Sequence, residues 1–453
     1  MSSDIVVIGG GMAGARLARQ LPGATVIGEE THAPYNRVLL AEVLAGRYGP
    51  EVAALPSAEV RRGVRVVRID RADRVVQCDD GSVVPYSTLV LATGSNPVLP
   101  PLRGLPAREL PDGVHPFRTM DDCLALDAAV REGTRAVVIG GGLLGVSAAR
   151  ALAARGARVV LAQQGERLME RQLDPAASAL LRDHIEALGV EVHTECRVRG
   201  LHSDNGGAVR AVELADGYEL AAEIVVLACG VRPRVGLAQA AGLDVRRGIV
   251  VDDQLRTSDP HIRAVGDCAE HNGTVYGLAG PALEQADVLA ALLKDAPATD
   301  TPTGTPSEAP GTGTGTARPG TAAGAAPQPG PPEARPPASD DIGTGTGIST
   351  GTGTAPRYTG TRALTRLTLT GHGHGHSPLD LATFGETTPL PGDDVVRLTD
   401  ATRGAYRKVV VRGDRLIGGI LLGDLGAVGE LARTWEGDEP LPSSPLSHLL
   451  GGS

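Results

Sequence analysis

Long apolar runs, paired cysteines, aromatic residues and excess positive charge are all scarce in this chain of 453 residues. Only 2% of the residues are aromatic, and the net charge of −10 disfavours nucleic acid or an anionic membrane surface as a partner. No stretch approaches the roughly 18–20 apolar residues that a membrane-spanning helix needs. The N-terminus also lacks the basic, apolar and small-residue order of a signal peptide. We therefore expect a cytoplasmic protein without membrane insertion.

The cysteines are few and scattered. No two are spaced as CxxC or CxxxxC among Cys78, Cys123, Cys196, Cys229 and Cys268. This disfavours a redox disulphide, an iron–sulfur cluster and a structural zinc site, and it favours small buried apolar side chains. The histidines of "HGHGH" at 372–376 lie in a glycine-rich segment and would need ligands from elsewhere, so we interpret them as a polar insertion. We predict no metal site.

Composition divides the chain into a long and a short part. Between 298 and 356 glycine, threonine, proline and alanine dominate, and too few bulky apolar residues remain to offset the entropy of ordering. We predict a disordered linker there. Residues 357–453 contain the strand-like runs "RALTRLTLT" at 362–370 and "YRKVVVRGDRLIGGILLG" at 406–423. A helical pattern follows at 427–435, which predicts a small C-terminal α+β domain.

The first part of the chain begins with a glycine loop between two apolar strands. "DIVVIGG" at 4–10 is apolar without alternation, as expected for a parallel strand covered on both faces. It runs into a GxGxxG motif and a helix, and the next strand ends in an acid 20 residues after the first glycine. The free amides of a helix start favour a pyrophosphate, and an acid at this offset can hold ribose hydroxyls. The predicted contacts are Gly9, Gly11, Met12, Ala13, Gly14 and Glu29.

The same order of motifs recurs 131 residues later. "RAVVIGG" at 135–141 leads into a second GxGxxG motif, an alanine-rich helix and the strand "RVVLAQ". Two more apolar runs, "LVLATG" at 89–94 and "VVLACG" at 225–230, occur one in each half. Two such units imply two dinucleotides, one a tightly held redox cofactor and the other an exchanging electron donor. In the second unit the predicted contacts are Gly140, Gly142, Leu144, Gly145, Gln163 and Gly230.

Taken together, these motifs resemble those of the two-dinucleotide FAD and NAD(P)H oxidoreductases, the pyridine nucleotide-disulfide oxidoreductase-like superfamily. Within it the chain looks most like the rubredoxin/nitrite-reductase-type flavoproteins. The resemblance also rests on "PYNRVLL" at 34–40, "LMERQLD" at 168–174, the segment 257–290 and the closing "PLPSSPLSHLL". It implies FAD in the first unit and NADH or NADPH in the second. The further FAD contacts that it implies are Arg37, Ala92, Thr93, Gly94, Gly266 and Asp267.

The predicted fold is α/β, with two nested Rossmann-like units and the small α+β domain after the linker. The expected FAD-binding domain comprises 1–112 and 236–297, and the expected NAD(P)H-binding domain comprises 113–235. The resemblance implies a reductase that passes electrons from NAD(P)H to a separate redox protein, such as a rubredoxin-like or ferredoxin-like carrier or a nitrate/nitrite reductase component. The alternatives are an NAD(P)H oxidase that uses oxygen or a quinone, and a flavin- or nucleotide-sensing protein whose redox activity has decayed.

Three positions depart from the family's pattern. Ala41-Glu42 stands where ferredoxin reductases have a lysine, and Val146-Ser147 stands where the second glycine motif usually continues Leu-Glu. The second ribose position is Gln163 instead of an acid, which removes the charge that would repel a 2′-phosphate, so both NADH and NADPH are expected donors. Because the flavin would carry the chemistry, we expect no side chain to act as nucleophile or general base.

Overall fold

The computed structural model describes residues 4–56, 59–106, 109–294, 356–370, 378–400, 402, 404–437 and 440–441. Three features predicted from the sequence fall largely or wholly outside these ranges. The linker at 298–356 is described only at its last residue, and the histidines at 372–376 are not described. Of the closing "PLPSSPLSHLL" only the first two residues are described.

The first quarter of the chain alternates short strands with two helices. Its elements are β1 (Ile5–Ile8), α1 (Met12–Gln20), β2 (Thr25–Gly28), α2 (Leu40–Leu44), β3 (Val60–Arg62), β4 (Val66–Asp70), β5 (Val75–Cys78), β6 (Val83–Pro85), β7 (Thr88–Leu91) and β8 (Ser95–Pro97). Strands β3, β2, β1 and β7 are adjacent and parallel, and every residue of β1 is buried, as its unalternated apolar sequence predicts. The antiparallel meander β4–β5–β6 was not predicted from the sequence.

The second unit repeats this architecture. Its elements are β9 (Val114–Pro116), α3 (Met120–Ala129), β10 (Arg135–Ile139), α4 (Leu143–Ala154), β11 (Arg158–Ala162), α5 (Pro175–Ala187), β12 (Val190–His193), β13 (Val198–Ser203), β14 (Val209–Leu214), β15 (Glu219–Ala221), β16 (Ile224–Leu227), β17 (Val231–Pro233) and α6 (Gly236–Ala240). A parallel sheet has the order β12-β11-β10-β16-β9, and β13–β15 form a second meander. Both glycine loops therefore join a central parallel strand to a helix.

The chain then returns to the first sheet. The elements of this part are β18 (Ile249–Val251), β19 (Ile262–Ala264), β20 (Ala269–His271) and α7 (Ala279–Lys294). Strand β19 pairs in parallel with β7, which completes the order β19-β7-β1-β2-β3. The second unit is thus inserted into the first, as predicted. The chain passes between the units twice, and the two connecting segments pair as the antiparallel strands β8 and β17.

The last part of the chain is an antiparallel sheet with one helix. Its elements are β21 (Leu364–Leu369), β22 (Leu379–Gly385), β23 (Asp394–Asp400), β24 (Ala405–Arg412), β25 (Arg415–Leu422) and α8 (Val428–Gly437). The order is β21-β22-β25-β24-β23, and the tight turn between β24 and β25 falls at the predicted Gly-Asp pair. Leu381, Tyr406 and Ile420 belong to the same apolar core as α4 and α5. This domain therefore packs directly on the second unit.

Candidate active site

The carboxyl ends of the first parallel sheet open into a cavity of about 1030 Å³. Gly9 follows β1, Glu29 follows β2 and Thr93 follows β7, and loops at this edge of a parallel sheet form the usual ligand crevice. The cavity also reaches the start of α4 and the strand β21. Its lining includes the predicted FAD contacts Gly9, Gly11, Met12, Ala13, Glu29, Arg37, Ala92, Thr93, Gly94, Gly266 and Asp267.

The first glycine loop has the shape that a dinucleotide pyrophosphate requires. Gly9 has a φ of +118°, and a Cβ added to it would lie 2.1 Å from the carbonyl oxygen of Ala92. A Cβ on Gly14 would lie 1.9 Å from the carbonyl oxygen of Gly9, whereas one on Gly11 would meet only open space. No side chain caps the start of α1, so its amides remain available to a ligand. The loop therefore fits FAD.

The second glycine loop has the same geometry but lies mostly beyond the cavity lining. A Cβ on Gly140 would lie 2.5 Å from the carbonyl oxygen of Ala228, and one on Gly145 would lie 1.7 Å from that of Gly140. A Cβ on Gly142 would again meet open space. Of the predicted contacts of this unit, Leu144 lines the cavity, and the others lie outside the lining: Gly140, Gly142, Gly145, Gln163 and Gly230.

Arg37 is held in the cavity wall by a network within its own motif. Its Nη1 donates to the hydroxyl of Tyr35 at 2.8 Å and to the carbonyl oxygen of Arg118 at 3.0 Å, while Nη2 pairs with Glu30. Burial lowers the pKa of Arg37, but Tyr35 and Glu30 outweigh this effect and raise the pKa above its usual value. Arg37 thus stays charged in a fixed position.

Another arginine of the cavity lining, Arg118, was not predicted from the sequence. Its Nη2 donates to Asp267 Oδ2 at 2.5 Å and to Ser95 Oγ at 2.8 Å, and Ser95 Oγ also donates to Asp267 at 2.9 Å. Arg118 directly precedes Thr119, the N-cap of α3, whose capping box fixes the start of this helix. The capping pattern could have revealed the helix, but no motif marks the arginine. The ion pair holds Asp267 at the cavity surface.

The two predicted ribose positions have different partners. Glu29 Oε2 accepts a hydrogen bond of 2.6 Å from Arg234 Nη2, and both side chains are partly exposed at the cavity edge. Gln163 Oε1 accepts from the backbone N–H of Gly141 at 2.8 Å. This bond orients the side chain, and its NH2 group remains a donor.

The positions that depart from the family's pattern face in different directions. Ala41 and Ser147 line the cavity, and Ser147 Oγ donates to the carbonyl oxygen of Leu143 at 2.8 Å within its own helix. Glu42 lies outside the lining and pairs with Arg150 at 2.5 Å. Neither family position therefore places a charge in this cavity.

Among the described residues, the cavity lining holds no cysteine and no metal-binding group is found. Burial raises the pKa of Cys123 to about 12 and that of Cys229 to about 11, so both thiols stay protonated at neutral pH. Within the described ranges, no group of acids, histidines and cysteines is arranged to hold a metal ion.

Of the helices described, none combines the length and the apolar composition needed to span a bilayer.

Residues 3–286 match the pyridine nucleotide-disulphide oxidoreductase family, and residues 377–436 match the rubredoxin NAD+ reductase C-terminal domain. The chain belongs to the pyridine nucleotide-disulphide oxidoreductase family. Reductases of this family use FAD and NAD(P)H. Together with the nested sheets, the match confirms the predicted family and the α/β fold.

Relatives and solved structures agree with this membership. The chain is 37% identical over 320 residues to the assimilatory nitrate reductase electron transfer subunit of Bacillus subtilis. The aligned residues make up 67% of this chain and 40% of that relative. It is 32% identical over 324 residues to the rubredoxin-NAD(+) reductase of Pseudomonas putida, and these residues make up 67% of this chain and 82% of that relative. A ferredoxin reductase of Rhodopseudomonas palustris has a similar structure, with a TM-score of 0.73 and 25% sequence identity. The structural match covers 98% of this chain and 97% of that reductase. The chain thus spans about 40% of the length of the first of these relatives.

Proposed function

We propose that this protein is an FAD-dependent oxidoreductase that takes a hydride from NADH or NADPH and passes electrons to a separate redox protein. The observation that carries this proposal is the shape and content of the cavity. It joins the first glycine loop to Leu144 and Ser147 at the start of α4, and none of its described lining residues is a cysteine. With no thiol there to relay electrons, they would leave from the bound flavin itself, which can accept a hydride and release electrons singly.

The proposed FAD site consists of the residues around the first sheet. Close packing at Gly9 and Gly14 and the open side of Gly11 support a pyrophosphate on the uncapped start of α1. Arg118 holds the carboxylate of Asp267 in place, which supports Asp267 as an acceptor for hydroxyl groups of the ligand. The proposed FAD contacts are Gly9, Gly11, Met12, Ala13, Gly14, Glu29, Arg37, Ala92, Thr93, Gly94, Gly266 and Asp267.

The proposed NAD(P)H site lies on the second loop. Its support is the repeated loop geometry and the position of Leu144 in the cavity wall, which would let the nicotinamide end enter while the adenosine end stays outside. The proposed contacts are Gly140, Gly142, Leu144, Gly145, Gln163 and Gly230. We assign 1–112 and 236–297 to the FAD-binding domain, 113–235 to the NAD(P)H-binding domain and 357–453 to the C-terminal domain, since β19 returns to the first sheet.

The proposed electron acceptor is a rubredoxin-like or ferredoxin-like carrier, or a component of a nitrate or nitrite reductase. Its support is the match of 377–436 to a rubredoxin reductase domain and the names of the relatives, one a rubredoxin reductase and another an electron transfer subunit. The scattered free cysteines support a reducing compartment, and we infer a cytoplasmic location.

Anaerobic mixing of the FAD-loaded protein with NADH or NADPH tests this proposal. We expect rapid bleaching of the flavin absorbance, slow reoxidation by air, and fast reoxidation when a rubredoxin or ferredoxin is added. Flavin that stays yellow would indicate a sensing protein and contradict the proposal. Rapid reoxidation by air alone would indicate an NAD(P)H oxidase instead.

A further inference from the structure

A charged side chain is buried behind the part of the cavity that α4 forms. Arg150 is only 2% exposed, and it lies three residues after Ser147, on the same face of α4. Its Nη2 pairs with Glu42 Oε1 at 2.5 Å, and its Nη1 donates to the carbonyl oxygen of Thr370 at 3.0 Å and to its hydroxyl at 3.2 Å. One guanidinium therefore joins α4 to two other segments.

Each element that Arg150 joins also forms a wall of the cavity. Helix α4 contributes Leu144 and Ser147, and α2 contributes Ala41, the neighbour of Glu42. Strand β21, which ends one residue before Thr370, contributes Arg366 and Leu367. The distance between these walls therefore sets the width of this part of the cavity.

The two anchors of Arg150 are also joined to each other. Arg47 Nη1 donates to Glu42 Oε2 at 2.9 Å and to Thr370 Oγ1 at 2.6 Å. The carboxylate of Glu42 thus forms ion pairs with two arginines, the buried Arg150 and the partly exposed Arg47. The closed set Glu42, Arg47, Arg150 and Thr370 is called the clamp below.

Stability alone does not account for a buried arginine at this place. Burial lowers the pKa of Arg150, opposed by Glu42, and its Nε has no partner among the described residues. Well-packed apolar side chains commonly replace a buried ion pair without loss of stability. What they cannot replace is the planar, forked guanidinium, which fixes two acceptors at set distances and directions.

We propose that Arg150 is a positioning residue that sets the spacing of the cavity walls between which the nicotinamide and the flavin stack. This inference rests on the proposed function, because it assigns the clamp a role in hydride transfer. Arg150 lies outside the cavity lining and acts through the walls. A small error in the distance between reacting atoms lowers the transfer rate much more than the binding of the nucleotide.

Two variants separate positioning from stability. Arg150→Lys keeps a charge beside Glu42 but cannot also reach both acceptors of Thr370, and the double variant Glu42→Leu/Arg150→Met replaces the ion pair by apolar packing. For both variants we expect a melting temperature close to that of the wild type. The limiting rate of flavin reduction should fall about tenfold or more, while the Kd of NAD(P)H stays nearly unchanged.

Two readouts do not depend on turnover. The long-wavelength charge-transfer absorbance of reduced protein mixed with NAD(P)+ should weaken, because it requires close stacking. Hydrogen–deuterium exchange at 40–44 and 364–370 should quicken in both variants without any nucleotide. Wild-type rates and absorbance in Arg150→Lys and in the double variant would overturn the inference.

Arg155→Lys is the matched control, because Arg155 pairs with Asp127 at 2.8 Å from the far end of α4 and lies outside the cavity lining. It should leave the rate, the absorbance and the exchange unchanged. An equal loss in this control would show that any weakened contact of α4 slows reduction, and it would overturn the positioning role. If NAD(P)H does not reduce the wild type, the proposed function fails, and unchanged exchange in the Arg150 variants would then overturn the clamp as well.

Discussion

At the scale of single residues, the carboxylate at the end of β2 is the first test of the FAD site. Glu29→Ala should weaken FAD retention, because a charged hydrogen bond to a ribose hydroxyl contributes about 1.5–3 kcal/mol. Glu29 is 45% exposed and shared with Arg234, so we expect the lower end of that range, a loss of about tenfold in affinity. Flavin fluorescence during dialysis measures the Kd.

Glu223→Ala is the control for Glu29→Ala. Glu223 is similarly exposed and also pairs with an arginine, Arg135 at 3.3 Å, but it lies outside the cavity lining. Its variant should retain FAD as the wild type does. Full retention of FAD by Glu29→Ala would count against the ribose assignment.

Gln163 provides the residue-scale test of donor choice. Its uncharged amide lacks the repulsion of an acid for a 2′-phosphate, so the specificity constants for NADH and NADPH should agree within about tenfold, or about 1.4 kcal/mol. In Gln163→Glu the carboxylate can keep the bond to Gly141, and the preference should move clearly toward NADH. Stopped-flow reduction with each nucleotide measures both proteins.

Gln164→Glu is the matched control, since it adds the same charge at the neighbouring exposed position. It should change the preference less than Gln163→Glu. A thousandfold preference in the wild type would mean that another residue sets the choice of donor.

Residues that shape a loop by steric exclusion were easier to predict than residues that act through charge. The spacing of Gly9 and Gly14 follows from contacts that leave no room for a Cβ, so the motif itself shows the geometry. Arg118 reaches the cavity from the turn before α3, and its partner Asp267 lies 149 residues away. Only the fold brings such residues together.

At the scale of elements, substitutions of two glycines in the second strand–loop–helix unit should have different effects, one on helix packing and the other on ligand binding. Gly145→Ala places a Cβ 1.7 Å from the carbonyl oxygen of Gly140, so α4 must shift from β10, which should cost about 1–3 kcal/mol of stability. Gly142→Ala meets open space and should leave stability nearly unchanged while weakening NAD(P)H binding. Thermal unfolding and nucleotide titration measure the two effects. A stable Gly145→Ala protein would contradict the steric role.

The strands with both faces buried were predicted from their sequence, whereas β23 and the two meanders were not. The runs of β1 and β16 are buried throughout and have no polar interruption. Strand β23 is mostly exposed, and the meander strands β6 and β15 have only three residues each, too few to show an alternation or an apolar run in the sequence. Their pairing partners, not their own sequences, make them strands.

At the scale of the whole molecule, contacts with both units hold the C-terminal domain. Lys408, only 3% exposed, pairs with Asp174 at 3.0 Å, and Tyr406 donates to the same carboxylate at 2.7 Å. Where the described chain resumes at 356, Tyr358 is fully buried in the core of the first unit, 4.8 Å from the ring of His271. The described residues on either side of the glycine- and threonine-rich segment are therefore held in the fold: α7 ends at Lys294 before it, and Tyr358 is buried after it.

Replacing residues 300–355 by a short Gly/Ser segment, long enough to span the gap, should therefore leave folding and NAD(P)H oxidation nearly unchanged. The cost of closing a flexible loop changes by only about 0.6 kcal/mol for each doubling of its length, so a fourfold shortening should stabilise the protein by about 1 kcal/mol. Melting temperature and steady-state oxidation measure the outcome. Tyr358→Ala is the contrasting variant, because loss of a buried aromatic ring costs about 3–5 kcal/mol and detaches one of the two anchors. A large fall in melting temperature on shortening would show that the segment is packed, and the prediction of disorder would be wrong.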